Sequence, residues 1–448
     1  MLALLWRSLP WRWPLFWLVV PNLALILMWP IGGPPMKPAL LIFGWLALVV
    51  SQLPWTWFKR AVLFLMIAVT TVFYVCEMFN IHPLDIWLLP SFLKEIHPWQ
   101  SWEYVLAGAV FLIAGGIALY QAPRVPRFRS IPSALLALLA VFGLAGLDGI
   151  ATAATRGSYH SAPLPGEPFS SATHSAGLQQ PPADRRNVLL IVVEALGAPA
   201  GEVERGLFNA DWNRPGWSGR YEVRHGTVPY YGSTTNGELR ELCGVWGEYV
   251  RFDFAKADCM PARYGRAGYR TVAMHSFPGT FFDRDHWYPK LHFNERQFGA
   301  ELRKAGARHC GGVFPGACDT DVPKQIAARL KAAKSPQFVY WLTLNSHLPV
   351  IADKALGTDH CDIGPRDWRE DHPQICRMFL LHHRLADSID AMAMDPTLPP
   401  TDILIVGDHM PPFFDRDGRM RFNGSQVPWI YLKAKGTTEP ASSVPRSH

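Results

Sequence analysis

Five apolar runs in the first 150 residues, at about 14–31, 38–56, 61–79, 104–121 and 132–150, limit this chain of 448 residues more than anything else in it. Each approaches the roughly 20 residues with which a helix crosses the hydrocarbon core of a bilayer. Helices buried in a soluble protein would carry a polar stripe, and these runs carry none. Five transmembrane helices are therefore expected. Arg7 and Arg12 precede the first run, Lys59 and Arg60 separate the second from the third, and Arg124, Arg127 and Arg129 separate the fourth from the fifth. The other two loops hold only Lys37 and Lys94. Basic loops stay in the cytoplasm, so the N-terminus is expected inside and everything after residue 150 outside. A cleaved signal peptide is the other reading of the first run, but four further runs would remain.

This placement explains the charge. The net +6 would suggest a nucleic-acid partner only if the basic residues clustered on a soluble face; most of the surplus lies in the apolar third, as an orientation signal, and no nucleic-acid partner is expected. Eleven of the 18 Trp lie there too, with Trp13, Trp29, Trp55, Trp57, Trp99 and Trp102 near run ends, as an interfacial aromatic belt requires. The loop 81–103, broken by Pro83, Pro90 and Pro98, is expected to lie along the outer surface.

Residues 151–186, rich in Ala, Ser, Pro, Gly and Thr, read as a linker. From residue 187 to 435 short β-type runs alternate with helix-capable segments, the clearest strands being 188–193, 269–274, 338–344 and 402–406. Continuous apolar runs of this length suit strands covered on both faces, hence a mostly parallel central sheet flanked by helices. Residues 436–448 are left as a tail. Cys76 falls in an apolar run, which leaves six cysteines outside: Cys243, Cys259, Cys310, Cys318, Cys361 and Cys376. In an oxidising compartment an even number implies disulfides. Sequential pairing is expected because each pair closes a short loop. A thiolate metal site is the rival, though no CxxC spacing occurs.

Three predicted strands end in residues that carry chemistry. VLLIVV is followed by Glu194, DILIV by Gly407, Asp408 and His409, and FVYWLTL by Asn345, Ser346 and His347. Ligands of open α/β sheets bind beyond the carboxyl ends of the strands, so these groups could converge on one cation, although each alone could be an ordinary strand terminus or turn. In GSTTNGELREL, Thr234 opens a helical stretch, and Thr235 with Glu238 has capping-box spacing. The threonines are then either caps or, for Thr234, a hydroxyl at a helix N-terminus, where an alkoxide or phosphate is favoured. Such a hydroxyl needs a base or a metal to ionise it.

These residues resemble the membrane-bound phosphotransferases of the alkaline phosphatase and sulfatase superfamily, which include lipoteichoic acid synthases and lipid A phosphoethanolamine transferases. The resemblance covers nearly the whole chain, with NVLLIVVEALG, GSTTNGEL and VGDHM in the family's order. It implies an alkaline-phosphatase/sulfatase-like α/β domain, Glu194, Asp408 and His409 as metal ligands, and Thr234 as ligand and nucleophile, with Thr235 the residue to confuse with it. HSFPGTFFDRDHWY and NSHLPV look closer to the synthases, which implies substrate binding by His275 and Arg284 and a catalytic role for His347. Phe282 departs from the tryptophan of the synthase type, Cys310 and Cys318 followed by Asp319 look like a phosphoethanolamine-transferase feature, and no histidine follows His409 before the tail. The donor headgroup is therefore open.

The implied reaction moves the headgroup of a membrane phospholipid, phosphoethanolamine or glycerol phosphate, through a phosphothreonine to a hydroxyl of an envelope glycan or glycolipid. It would be run by a monomer in a bacterial inner (plasma) membrane with its catalytic domain in the periplasm. Three oxygens and one nitrogen suit Zn²⁺ or Mn²⁺, and the resemblance favours zinc. A metal-dependent phosphatase, phosphodiesterase or sulfatase-like hydrolase using the same ligands is the alternative; a formylglycine sulfatase would need a CxPxR-type signature, for which Cys243 does not fit and Cys259-Met-Pro-Ala-Arg begins a near match only past the nucleophile segment. His382 and His383 read as ordinary helix-face residues.

Overall fold

The computed structural model describes residues 11–29, 33–78, 97–152, 163, 166–413 and 416–435. Most of the loop 81–103, part of the linker and the tail 436–448 lie outside them. Three helices are long and apolar enough to cross a membrane: Thr56–Met78, Trp102–Arg124 and Ile131–Ala151. The first two runs instead form shorter apolar helices, Arg12–Ile26 and Lys37–Val50. Five full-length spans are thus not found among the described residues. The 14 residues of Lys37–Val50 rise about 21 Å, less than the roughly 30 Å of hydrocarbon. The first run changes winding around Pro21, with a π turn at Leu15–Val19 and a 3-10 turn at Val20–Asn22, because proline removes a helical hydrogen bond and crowds the preceding turn.

The tryptophans divide. Trp55, Trp57, Trp99 and Trp102 are exposed, as a belt requires, but Trp13 is fully buried. Its Nε1 donates to Ser51 Oγ at 2.8 Å. Trp29 Nε1 donates to Asp148 Oδ1 at 2.9 Å, and the amide of Met36 donates to Asp148 Oδ2 at 2.9 Å. These indoles tie helix to helix.

The globular part is built on a seven-stranded sheet of order β2-β9-β8-β1-β7-β3-β4. Its strands are β1 Asn187–Val193, β2 Tyr221–Pro229, β3 Arg270–His275, β4 Glu295–Gln297, β7 Gln337–Leu342, β8 Thr401–Gly407 and β9 Gln426–Ala434. A hairpin of β5 His309–Cys310 and β6 Gly316–Ala317 stands apart. β8, β1, β7, β3 and β4 are mutually parallel, and β9 runs antiparallel to both β8 and β2. Every residue of β1, β7 and β8 is buried. Alternation then splits the core in two. Val188, Leu190, Val192, Phe338, Tyr340, Leu404 and Val406 face one layer; Leu189, Ile191, Val193, Val339, Trp341, Ile403 and Ile405 face the other. Both sheet faces are covered, which is why these strands read as unbroken apolar runs.

Disulfides join Cys243 to Cys259, Cys310 to Cys318 and Cys361 to Cys376, the sequential pairing. The linker reading fails at its C-terminal end. Helix α1, Ala172–Ala176, is packed on the domain, with Ala172 and Thr173 fully buried and the Thr173 amide donating to Glu241 Oε2 at 2.8 Å. Five residues are too few to show a helical period, so only the packing reveals them.

Candidate active site

The carboxyl ends of β1 and β8 lie side by side, with Val193 opposite Gly407. Glu194 and Asp408 therefore leave the sheet together. Ala195 takes a left-handed φ of 56°, and its amide donates to Asp408 Oδ1 at 2.9 Å; the amide of His409 donates to the same oxygen at 2.7 Å. Oδ2 is left without a hydrogen-bond partner. Glu194 is held through its backbone, by Thr343 Oγ1 on its amide at 2.9 Å and by the Ser346 hydroxyl on its carbonyl at 2.6 Å. Its Oε1 is likewise buried without a partner.

Helix α2, Thr234–Cys243, starts opposite these strand ends. Thr234 Oγ1 donates to Glu194 Oε2 at 3.2 Å and lies 3.3 Å from His409 Nε2. Ser233 and Thr235 share a hydrogen bond at 3.1 Å, so Thr234 presents the hydroxyl that meets the two strands. The expected Thr235–Glu238 capping box does not form. Asn236 instead accepts from the Ser233 amide at 2.9 Å, and Glu238 turns inward.

Glu194, Asp408 and His409 each offer one ligand atom, all within 4.8 Å of one another. His409 Nε2 is 3.4 Å from Glu194 Oε1 and 3.3 Å from Asp408 Oδ2. Its Nδ1 lies 2.9 Å from the Met410 carbonyl, which only accepts, so Nδ1 carries the proton and Nε2 presents a lone pair. Burial, and then the facing Asp408, push the Glu194 carboxyl well above its usual value. Two partnerless buried carboxylate oxygens and one imidazole lone pair aimed at a common point fit a divalent cation.

The remaining predicted residues stand on other elements, at the end of β3, after β7 and in the short helix Arg284–Trp287. His275 ends β3, with Nδ1 3.1 Å from the Leu342 carbonyl; burial and Arg284 hold it well below the usual histidine value. His347 follows β7, its Nδ1 2.7 Å from the Leu348 carbonyl and its ring 3.9 Å from that of Phe314. Burial and the nearby His409 bring it down to about 4. Arg284 follows two left-handed residues, Phe282 (φ 56°) and Asp283 (φ 50°), which turn its side chain inward, where it is 2 % exposed. Its charge is felt by Glu194, His275 and His347 alike.

Sequence reasoning missed three supports. His382 sits on helix α3, Pro373–Ala393, with Nε2 3.2 Å from the Glu194 carbonyl; it is buried against the site and is no ordinary helix-face residue. Arg240 Nη2 donates to the Gly407 carbonyl at 2.8 Å. Glu238 Oε2 accepts from Arg284. The i+4 spacing of Glu238 from Thr234 was the one available signal for the last.

The sequence matches the sulfatase family over residues 186–431, more than half of the chain. The chain belongs to the sulfatase family. No curated protein matches it. Among solved structures, it is similar to the lipoteichoic acid synthase LtaP from Listeria monocytogenes, with 15% identity over 61% of this chain and 71% of that one and a TM-score of 0.42. It is similar to the phosphoglycerol transferase GacH of Streptococcus pyogenes, with 16% identity over 58% and 72% and a TM-score of 0.40. It is also similar to the integral membrane lipooligosaccharide phosphoethanolamine transferase EptA from Neisseria meningitidis, with 14% identity over 88% and 81% and a TM-score of 0.45. Within this sulfatase-family domain the strand-end constellation is the candidate active site.

Proposed function

We propose that this protein transfers the phosphorylated headgroup of a membrane phospholipid, through a phosphothreonine at Thr234, to a hydroxyl of an envelope glycan or glycolipid. The observation that carries the proposal is the Thr234 hydroxyl, 3.2 Å from Glu194 and 3.3 Å from His409. A threonine cannot become the formylglycine of a hydrolytic sulfatase, but it can be phosphorylated. Glu194, Asp408, His409 and the Thr234 oxygen would hold one divalent cation, zinc by preference, which lowers the pKa of that hydroxyl and polarises a phosphoryl oxygen.

Thr234 attacks the headgroup phosphorus and the diacylglycerol oxygen departs; an acceptor hydroxyl then displaces Thr234. Arg284 and His275 face the charge that accumulates on the phosphoryl oxygens. The Nδ1–H of His347 is committed to a carbonyl, so its Nε2 takes the acceptor's proton. Protonation of the leaving oxygen requires His347 in its charged form, which the incoming phosphodiester anion favours against burial.

A lipid donor fits the setting. The His97 amide, just before the span that starts at Trp102, donates to the Val313 carbonyl at 2.8 Å, and the neighbouring Phe314 packs on His347. The test is mass spectrometry of the full-length protein incubated with phosphatidylethanolamine and phosphatidylglycerol. An adduct on Thr234 whose mass names the headgroup is expected, with turnover lost in Thr234→Ala. Active protein that forms no adduct with either lipid would overturn the two-step transfer.

A further inference from the structure

The strongest unassigned feature is the buried cluster behind Arg284. Arg284 Nε and Nη2 donate to Glu238 Oε2 at 3.0 and 2.7 Å, and Nη1 donates to the Phe281 carbonyl at 3.0 Å. Glu238 is itself fully buried, and its second oxygen accepts from the hydroxyls of Tyr288 and Tyr340, the latter at 2.9 Å. Neither oxygen of Glu238 is left to bind a ligand. A carboxylate so placed acts through the arginine it holds.

A guanidinium has five N–H donors: one on Nε and two on each terminal nitrogen. Glu238 and Phe281 take three, one on each nitrogen. One donor then remains on Nη1 and one on Nη2, the pair that two oxygens of a single tetrahedral anion can accept. Glu238 also lies one helical turn after Thr234 on α2, so the grip that sets the arginine is rigidly connected to the hydroxyl that faces the phosphorus.

We infer that Glu238 is a positioning residue, which orients Arg284 so that its two remaining donors meet the phosphoryl group in flight between Thr234 and its partners. This rests on the phosphotransfer reading above. The ion pair also leaves the cluster with no net charge, so ground-state anion affinity stays moderate while oriented hydrogen bonds act on the transition state. Loss of Glu238 is therefore expected in kcat and not in donor KM.

The test is steady-state transfer by the full-length enzyme in detergent, with phosphatidylethanolamine and phosphatidylglycerol as donors. Glu238→Gln is expected to lower kcat about tenfold, the charge-assisted hold of one oxygen on two guanidinium nitrogens being weakened, with KM within about twofold. On an Arg284→Ala background the same change should cost nothing further in kcat. There it should raise the thermal unfolding midpoint, because it removes a buried carboxylate left without its cation. Unchanged kcat in folded Glu238→Gln, or an equal loss on both backgrounds, would overturn the inference. Should Glu238→Gln not fold, Tyr340→Phe decides, with about a threefold kcat loss at constant KM expected and an unchanged kcat counting against the proposal. A Thr234→Ala enzyme that keeps full activity would sink the phosphotransfer reading itself, whereas an inactive Thr234→Ala beside an unaffected Glu238→Gln would sink the positioning role alone.

Discussion

One oxygen of Asp408 accepts two backbone amides and the other accepts none. That asymmetry suits a metal ligand, and it arises in part from the left-handed turn at Ala195 just beyond the end of β1, which no inspection of Asp408 in sequence would disclose. His382 teaches the same lesson, since its spacing marks only a helix and its contact with the Glu194 carbonyl is made across 188 residues. A pH dependence follows from the buried imidazoles. Burial holds both His347 and His382 at about 4 in the folded chain, against about 6.5 when unfolded. Between those values the unfolded chain takes up protons that the folded chain refuses, so the stability is full above about pH 6.5 and falls as the pH drops towards 4. Asp319, raised by burial to about 6, and Glu194, also raised by burial, work in the opposite sense, whereas His275, held low by burial, adds to the effect of His347 and His382. Between about pH 7 and 5 the unfolding midpoint of full-length His382→Asn is expected to fall less with acidification than that of the unaltered protein, by about one proton. An unaltered slope in this variant would show that His382 titrates normally.

At the scale of elements, the three strands with wholly buried sequences were legible within two residues of their ends, because a strand covered on both faces has no polar positions to confuse its reading. β2 and β9 were not legible. β2 alternates with exposed residues such as Glu222 and Arg224, and its partner is found 200 residues downstream. The strand ends that carry the site are crowded. A Cβ on Gly407 would stand 1.9 Å from the Leu196 carbonyl oxygen, and the Gly407 carbonyl is already fixed by Arg240. Gly407→Ala must therefore push β8 off β1 and carry Asp408 with it. The expected cost is about 2–3 kcal/mol of stability together with weakened metal retention, measured by unfolding midpoint and by metal content after dialysis; normal values for both would mean the strand end can relax.

At the scale of the whole molecule, the apolar helices and the sulfatase-family domain meet directly. Besides the His97–Val313 bond, Gln374 Nε2 donates to Glu103 Oε1 at 3.0 Å, so the N-terminal end of the apolar helix that starts at Trp102 touches both the Phe314 loop and the start of the helix that carries His382. The candidate cation site also bears on global stability, because without a cation two buried carboxylates face each other. Chelation of the purified protein should lower its unfolding midpoint by the equivalent of about 3 kcal/mol, the linkage expected near a hundredfold excess of metal over its dissociation constant; Glu194→Gln should be much less sensitive to chelator, and a wild-type midpoint indifferent to it would remove the metal site. Sequence alone determined the apolar third, the parallel strands and the residue types at their ends, since all of these follow from local runs of hydrophobicity and from the chemistry of single side chains. Only the tertiary structure decided which hydroxyl of Ser233, Thr234 and Thr235 meets the carboxylates, that two apolar runs form short helices, that residues 171–176 pack against the domain, and that Glu238 grips Arg284. Each of these depends on side-chain direction and on partners far along the chain, and neither is encoded in local periodicity.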